Sequence, residues 1–439
     1  MLASRLGMIA AVVVCAVYLL QLVTPLRLNL DSIVLLSSAL SMADGKGYLY
    51  HGSRPLYPRG YPTVVALLEK LGIASSATLV GVNLLCLAIG LVSAYIVLRR
   101  STGLSSLEAS LALFGLAMSF LTVKHVTLPQ TDVMFLGFSL AAVAVMTLAD
   151  TPNMRARRML ILGALILILS ATTVRSIAIA LLPAWLMCIT RIGSHHGVRR
   201  GDNASTAFRV RLVLCAVLLL MVLWWVLTSQ THYLKDALRI YTRTGHGTLS
   251  GVVQSAFIRL KELGEISLNV PLSRTPASIG GMCYVIGGCA MALIVWSLWI
   301  RRSVFTAADV YLASYVAIVY AYPLQSPRHW LPVIPLLIGC VIAPVRRWCR
   351  LRAVRTLVLF LATWFVFMGF VAMAYSTRIS LAGQRFPEVY GDGKLRPAYD
   401  AAFRGKDLLG LKGANRDAYD ILVRSRRTDL IDIPASATR

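Results

Sequence analysis

The chain has 439 residues, of which 57% are hydrophobic and 14% are charged, and its formal net charge is +25. Soluble proteins carry about 25% charged residues, whereas the apolar residues here form blocks of about 20, the length that spans a bilayer. A soluble globular protein is therefore excluded, and the short arginine runs between apolar blocks indicate membrane topology and anionic lipid rather than nucleic acid. The eight cysteines lie mostly inside the blocks without Cys-x-x-Cys spacing, which favours small buried hydrophobes over a zinc site or a disulfide framework.

Apolar blocks recur along the chain and predict an all-α integral membrane protein with about eleven transmembrane helices. The first block, from Gly7 to Leu26, lacks a small-x-small cleavage site at its end, so we interpret it as a retained span rather than a signal peptide. Segments 159–174 and 176–190 are short, and one long tilted helix or a re-entrant pair is the alternative to two crossings. The predicted spans are 7–26, 76–98, 104–122, 132–149, 159–174, 176–190, 211–229, 279–300, 307–322, 329–345 and 356–375.

Arginine runs follow alternate spans and indicate which side of the membrane each loop occupies. All the runs fall on one side when 159–190 crosses twice, and the positive-inside rule makes that side cytoplasmic. We therefore predict a polytopic transmembrane domain over 1–375 and a small C-terminal tail over 376–439 on the outer side. The predicted outer loops are a first loop at 27–75, a turn near 123–131, a large loop at 230–278 and a turn at 323–328.

The first outer loop has the pattern of a helix that lies in the membrane interface. Between Ile33 and Asp44, apolar residues recur every three to four positions and polar residues fill the opposite face. Glycines and prolines then break the pattern, and a second short helix is predicted at about 63–72. Asp31, at the start of the first helix, is either an N-cap, a role for which Asn29 competes, or a catalytic carboxylate held at the membrane surface.

Motifs in this loop resemble the first outer loop of the GT-C glycosyltransferases, polytopic enzymes that use polyprenyl-phosphate-linked sugars. In that family an Asp is followed by an amphipathic helix, a Gly-x-Gly-Tyr turn and Pro-Pro-Gly-Tyr-Pro, and the pattern here is similar to the protein mannosyltransferase and aminoarabinose transferase group. Asp31 falls on the catalytic Asp, whereas Arg59 replaces the second Pro and Leu35 stands where an aromatic residue is common. The matching stretches are Asn29-Leu30-Asp31, Ala39, Asp44-Gly45-Lys46-Gly47-Tyr48 and Tyr57-Pro58-Arg59-Gly60-Tyr61-Pro62.

Further matches follow in the family's order over most of residues 25–340. Thr131-Asp132 is similar to the second acidic motif, and Arg175 lies between the fifth and sixth spans, as in many members. The stretch from Pro327 to Pro332, with Pro335, resembles the Arg-Tyr-x-x-Pro-x-x-Pro motif of a late span. Each motif is short, and their shared order and membrane side give the set its specificity.

The resemblance implies an inverting glycosyltransferase in which Asp31 is the general base for the acceptor hydroxyl. Asp132 is assigned to assisting that base, orienting the acceptor or holding a divalent ion, with N-capping of the fourth span as the alternative. Arginine matches the oxygens of a lipid-linked phosphate with a planar fork of donors, and the positive-inside rule does not account for Arg59, Arg175 and Arg328. For Arg175, snorkelling to the interface is an equal alternative.

The other predicted substrate-binding residues are Tyr61, Lys124, His125 and His329. An ordinary polar turn is the alternative for Lys124 and His125. No metal ligand is assigned, because HExxH and similar spacings are absent. A divalent cation is the one cofactor that the resemblance leaves open.

The large loop at 230–278 is basic and carries a second hypothesis. Lys235, Arg239 and Arg243 recur every four residues and predict a basic helix face that covers the active site, binds lipid phosphate or is simply solvated. The loop's other noted residues are Tyr233, Tyr241, Arg259, Lys261 and Arg274. A polysaccharide polymerase or ligase of another membrane fold would rely on such a loop instead of on Asp31.

These features predict transfer of a sugar from a polyprenyl-phosphate-linked donor to a periplasmic acceptor, which is a protein such as a pilin, a lipid or a polysaccharide. The expected location is the bacterial inner membrane, with the active site facing the periplasm, membrane lipids as partners and no nucleic acid. A transporter or flippase of lipid-linked glycans is a further alternative, although no repeat is visible and the candidate residues lie on one face.

Overall fold

The structure, a computed structural model, describes residues 2–190, 249–271, 277–322, 326–348, 351–390, 393–405 and 410–425. Helices build this part of the chain, and within it no β-strand occurs, only an isolated bridge between Tyr50 and Ser53. The all-α prediction is confirmed. The predicted span 211–229 and the predicted basic face of Lys235, Arg239 and Arg243, together with Arg274, lie outside the described residues.

Six described helices are long and apolar enough to cross a bilayer, or seven if a bent helix pair counts as one span. Three shorter apolar helices, Ala11–Val23, Ser176–Thr190 and Ala307–Ala321, also fall on predicted spans. The count of eleven is therefore not confirmed. The six helices are Ser76–Ser101, Thr131–Leu148, Met154–Val174, Gly280–Ile300, Pro327–Arg346 and Arg352–Ser380, and the pair, bent by 57°, is Ser106–Met118 with Phe120–Val126.

The α-helices are numbered in chain order over the described residues. The first nine are α1 Leu2–Leu20, α2 Leu30–Ala43, α3 Gly60–Lys70, α4 Ser76–Ser101, α5 Ser106–Met118, α6 Phe120–Val126, α7 Thr131–Leu148, α8 Met154–Val174 and α9 Leu182–Thr190. They are followed by α10 Leu249–Leu268, α11 Ala277–Ile300, α12 Ala307–Ala321, α13 Ile334–Trp348, α14 Arg352–Ser380, α15 Phe386–Val389, α16 Arg396–Arg404 and α17 Ala414–Ser425. Short 3-10 helices occupy Gln21–Val23, Ser176–Leu181, Arg302–Val304, Pro327–Val333 and Gly383–Arg385.

The segment from 159 to 190 is two elements that double back on each other. Helix α8 ends at Val174, Arg175 is extended, and the 3-10 helix Ser176–Leu181 leads into α9. The indole of Trp185 donates a hydrogen bond to the carbonyl oxygen of Ile161 at 3.0 Å, so α9 returns along α8. This antiparallel pair fits two passes better than one long tilted helix.

Helix α10 lies within the predicted large outer loop at 230–278. It packs closely against α11, because a Cβ atom at Gly264 would overlap the carbonyl oxygen of Cys283 and one at Gly287 would overlap that of Leu260. Glycine at both positions lets the two helix backbones approach.

The helices divide into two compact units. The first comprises Met1–Ala88, Phe114–Met134 and Thr363–Arg439, and the second comprises Ile89–Leu113 and Phe135–Ala362. Helix α14 continues to Ser380, and the described residues after it pack in the first unit. The division into a domain over 1–375 and a tail over 376–439 stays a prediction.

Candidate active site

Asp31 stands in the first turn of α2, next to a residue that caps the helix. The side-chain oxygen of Asn29 accepts hydrogen bonds from the backbone N–H of Ser32 at 2.8 Å and from its hydroxyl at 2.9 Å. Asn29 is thus the N-cap, the role that the sequence left open between the two residues. A carboxylate in a first helical turn is also favoured by the partial positive charge of the helix N-terminus.

The Asp31 carboxylate receives a short hydrogen bond from the loop between α2 and α3. The phenol of Tyr57 donates to Oδ1 of Asp31 at 2.6 Å. The carbonyl oxygen of Tyr57 in turn accepts from the Tyr48 hydroxyl at 2.5 Å, and the exposed guanidinium of Arg59 lies over the Tyr48 ring, 5.6 Å from its centroid. The Gly-Tyr and Tyr-Pro-Arg motifs therefore meet around one half-buried carboxylate.

Tyr61, one residue into α3, is packed inside the first unit. Its side chain is 1% exposed, and its hydroxyl has no hydrogen-bond partner among the described residues. Burial raises the pKa of this phenol far above its usual range. Its predicted contact with substrate stays a prediction.

Asp132 lies in the first turn of α7 and is 1% exposed. Its Oδ2 is 3.8 Å from Nδ1 of His125, and that nitrogen is 3.0 Å from the Gln130 amide oxygen. The turn between α6 and α7 is fixed by the Asn83 amide, which donates to the carbonyl oxygens of Val126 and Leu128, both at 2.9 Å. The structure therefore brings Asp132 and His125 together. Lys124, in contrast, is exposed at the end of α6.

In the second unit, Arg175 and His329 meet. Arg175 occupies the break between α8 and the following 3-10 helix, and its Nη2 is 3.4 Å from Nδ1 of His329, with both residues buried. The Tyr315 hydroxyl donates to the carbonyl oxygen of His329 at 2.6 Å, and the Tyr322 ring lies edge-on to the imidazole. Burial at 9% exposure argues against snorkelling of Arg175 into the interface.

The 3-10 helix that carries Arg328 and His329 is anchored by a buried ion pair on α10. Glu262 accepts from the indole of Trp330 at 2.9 Å and from Arg259 at 2.8 and 3.0 Å. Arg259 is fully buried and also donates to the carbonyl oxygen of Tyr322 at 2.7 Å. Arg259, which the sequence noted only as a basic residue of the large loop, is thus an internal support of this 3-10 helix.

The sequence did not assign roles to two groups that touch the candidate residues. Tyr57 lies inside the motif from Tyr57 to Pro62, and its contact with Asp31 is known only from the path of the folded loop. Glu262 is an acidic residue three positions from Arg259, which is a helical spacing that predicts an ion pair. Among the described residues, no group of three or more His, Cys, Asp or Glu side chains could hold a metal ion. A divalent cation therefore stays a prediction.

Comparisons with known proteins bear on the fold. No protein-family model and no curated protein matches the sequence. The crystal structure of ArnT from Cupriavidus metallidurans bound to undecaprenyl phosphate is 15% identical, with a TM-score of 0.49 over 96% of this chain and 75% of that one. The oligosaccharyltransferase AglB from Archaeoglobus fulgidus, in complex with an inhibitory peptide and a dolichol-phosphate, is 10% identical, with a TM-score of 0.50 over 90% of this chain.

The chain spans 60% of the length of AglB. At this level of identity the likeness establishes the fold alone. The first-loop motifs predicted the same architecture from a few short stretches of sequence. The chain therefore has a fold similar to that of the oligosaccharyltransferase AglB.

Proposed function

We propose that the protein is an inverting glycosyltransferase that moves a sugar from a polyprenyl-phosphate-linked donor to an acceptor on the periplasmic side of a bacterial inner membrane. Asp31 is the general base. The acceptor is a hydroxyl group of a protein such as a pilin, of a lipid or of a polysaccharide. The GT-C fold and the multi-pass character of the chain support this class of reaction.

The observation that carries the proposal is the setting of Asp31. Its helix is capped by Asn29, so the carboxylate is not needed for that structural task. One of its oxygens accepts a 2.6 Å hydrogen bond from Tyr57, which fixes the orientation of the group. A base on a defined rotamer at the start of a helix is the arrangement that proton removal from a bound acceptor requires.

The reaction balances with these residues. The acceptor oxygen attacks the anomeric carbon and gives its proton to Asp31, while the bond between that carbon and the phosphate oxygen breaks on the opposite side. Polyprenyl phosphate leaves with the bonding electron pair, and its second negative charge needs cations rather than an acid. A single displacement of this kind inverts the anomeric centre.

Phosphate binding is the role we propose for Arg175, Arg328 and His329 in the second unit and for Arg59 in the first. Two features support it for Arg175 and His329. Their nitrogens converge to 3.4 Å in a buried setting, and the Tyr315 hydroxyl fixes the backbone of His329. In this contact the Arg175 guanidinium donates and Nδ1 of His329 accepts, so the two side chains form one buried polar pair, and a guanidinium is the donor that matches phosphate oxygens. Lys124, His125, Tyr61 and Asp132 are proposed for acceptor and sugar contacts.

The test is the variant Asp31→Asn, which keeps the shape of the side chain and removes the base. We expect the glycosylated product to fall by about 100-fold or more, because general base catalysis contributes about 10²–10⁴-fold. The measurement is mass spectrometry of surface glycans, lipids and glycoproteins from cells with the wild-type gene, without it and with the variant. The mass that disappears with the gene identifies the sugar and the acceptor.

Asp420→Asn is the matched control, since it makes the same change at an exposed carboxylate on α17. It should leave the product at the wild-type amount, and membrane levels of both variants should be equal. A wild-type amount of product in Asp31→Asn would refute the assignment of the base. If loss of the gene instead caused lipid-linked sugar to accumulate on the cytoplasmic side, the protein would be a flippase.

A further inference from the structure

The chain between α1 and Asp31 is an extended segment whose polar groups are held by residues from the far C-terminal part of the sequence. In this segment, residues 24–29, the two end residues take part in helical hydrogen bonds: the Thr24 N–H donates to the carbonyl oxygen of Gln21, and the carbonyl oxygen of Asn29 accepts from Ile33. The segment leads directly into the first turn of α2, so its position sets where Asp31 lies. All the contacts described below lie within the first unit.

Two tyrosine hydroxyls form hydrogen bonds with the backbone of the segment. The Tyr399 hydroxyl accepts from the backbone N–H of Leu28 at 2.7 Å and donates to the carbonyl oxygen of Leu26 at 2.9 Å. The Tyr390 hydroxyl donates to the carbonyl oxygen of Leu28 at 2.7 Å. Leu28 therefore has both of its backbone groups bound, three residues before Asp31.

The two phenols are themselves held by an aromatic cluster. Phe386, which is fully buried, stacks on Tyr390 with ring centroids 5.1 Å apart and lies 5.3 Å from the Tyr399 ring. Phe403 also stacks on Phe386, with ring centroids 5.7 Å apart. Packed rings have few rotamers to choose from, so both hydroxyls are aimed at the segment before any substrate arrives.

A buried arginine ties the same segment to the end of α14. Arg27 donates to the hydroxyls of Ser376 and Ser380 at 2.9 and 2.7 Å and to the carbonyl oxygen of Ser376 at 2.7 Å. Its other donors reach the hydroxyls of Thr24 and Thr127. The segment is thus fixed on two sides by residues between 376 and 399.

Residues further along the C-terminal part of the chain reach α2 and the loop that follows it. Asp417 accepts from the Tyr50 hydroxyl at 2.9 Å and lies 3.0 Å from the imidazole of His51. Arg424 pairs with Asp44, at the C-cap of α2, at 2.9 Å. Both ends of the helix that carries Asp31 are therefore in contact with the C-terminal part of the chain.

We infer that residues 376–425 are a positioning element of the active site rather than an appendage, and that Tyr390 and Tyr399 are positioning residues for Asp31. They act through the backbone of Leu26 and Leu28 and do not touch the reacting atoms. This inference rests on the proposed function for its catalytic consequence. The contacts between these C-terminal residues and the segment before α2 do not depend on the proposed function.

The test uses Tyr399→Phe, Tyr390→Phe and the double variant in the full chain, reconstituted in lipid nanodiscs. Each substitution keeps the ring packing and removes only the hydroxyl. We expect hydrogen–deuterium exchange of residues 24–31 to rise, most at the Leu28 amide, which loses its acceptor in Tyr399→Phe. In cells we expect the glycosylated product to fall by about tenfold or more, since a displacement of 1 Å can cost about 100-fold in rate.

A third measurement separates positioning from general damage. Affinity for undecaprenyl phosphate, used as the probe, should change by less than about twofold, because ground-state binding does not depend on the aim of the base. Tyr18→Phe is the matched control. It also removes a buried phenol that donates to a carbonyl, that of Ala117 at 2.6 Å, and should change neither exchange at residues 24–31 nor product.

Each outcome decides something. Unchanged exchange in the double variant would overturn the docking claim. Raised exchange with a wild-type amount of product would overturn the positioning claim. If the wild-type gene yields no glycosylated product at all, the proposed function fails, and the exchange data alone still decide whether residues 376–425 hold the segment. Should Tyr399→Phe not fold, Tyr390→Phe, which loses one hydrogen bond instead of two, gives the same test.

Discussion

Asp31 and Asn29 lie two residues apart at the start of α2 and accept different hydrogen bonds. Asn29 accepts the N–H of Ser32 as an N-cap, while Asp31 accepts the phenol of Tyr57. An amide can cap a helix but cannot take up a proton near neutral pH, whereas a carboxylate can do both. Because Asn29 is the N-cap, Asp31, the ionisable group of this turn, is not required for capping, in agreement with its proposed role as the base.

Tyr57→Phe tests whether the phenol keeps Asp31 in its working orientation. The variant removes one charge-assisted hydrogen bond, which is worth about 1.5–3 kcal/mol, so we expect the glycosylated product to fall by about tenfold or more. The measurement is the same quantitative mass spectrometry of surface glycans. Tyr419→Phe on α17 makes the same chemical change at a partly exposed ring beside Arg416 and should have no effect. Equal product from the two variants would mean that Tyr57 is not needed.

For single residues, the sequence predicts well where a motif residue lies in its helix. It predicts poorly which distant residue a side chain contacts. Asp31 and Asp132 each begin a helix, as expected. Tyr57 reaches Asp31 across 26 positions of loop, and no local pattern specifies that pairing. The composition of the large loop likewise does not indicate that Arg259 is buried beside Glu262, because buried and solvated charges look alike in a sequence.

The 3-10 helix Pro327–Val333 carries two of the proposed phosphate-binding residues and packs against another element. Its Trp330 is buried and bound to Glu262 on α10, so the helix is fixed on one side. Arg328 and His329 come directly before that anchor. The geometry of the Arg175–His329 contact therefore depends on the buried ion pair of Arg259 and Glu262.

Glu262→Gln keeps the shape of the anchor and removes its charge. Breaking a buried ion pair by neutralising one partner costs about 3–5 kcal/mol, because the other charge stays buried. We expect a clear loss of thermal stability in detergent, measured by the unfolding midpoint. The exposed pair Arg416–Asp420 is the reference, since such pairs contribute about 0–1 kcal/mol and Asp420→Asn should change the midpoint little. Equal midpoints for the two variants would contradict the anchoring role.

Helices are predictable from the sequence where one face is apolar, and their ends less so. The stripe from Ile33 to Asp44 predicts α2 closely. Helix α3 begins at Gly60, earlier than the predicted 63, because a proline such as Pro62 is tolerated in a first helical turn. Helix α10 lies within the predicted outer loop at 230–278, and its Arg259 and Glu262 form a buried ion pair.

At the scale of the whole molecule, the beginning and the end of the chain build one unit. The bonds from Tyr399 to Leu26 and from Arg27 to Ser376 join residues about 350–370 positions apart. The tail has normal charge density, which predicted a small soluble appendage. Composition reports that a segment is polar but not what it packs against, so this docking could not be derived from the sequence.

The contact of α17 with α2 and α3 should depend on pH in two opposite ways. A hydrogen bond from Arg424 lowers the pKa of Asp44, so Asp44 stabilises docking above its ordinary value of about 3.9 and stops doing so as the pH falls through the lowered value. Burial raises the pKa of Glu69, so its charge opposes docking above that raised value and its protonation relieves the cost. Docking should therefore tighten as the pH falls from 7 through the pKa of Glu69, and weaken again below about 4.

Hydrogen–deuterium exchange of residues 414–425, corrected for the intrinsic rate at each pH, measures this dependence. Glu69→Gln should abolish the tightening and leave the weakening at low pH, whereas Asp44→Asn should do the reverse. Lys46, His51 and Asp417 also face this contact and are present in both variants, so the difference between the two variants reports on Asp44 and Glu69. Identical profiles in all three proteins would mean that the phenol and backbone contacts of Tyr390 and Tyr399, and not the ion pairs, hold the C-terminal residues in place.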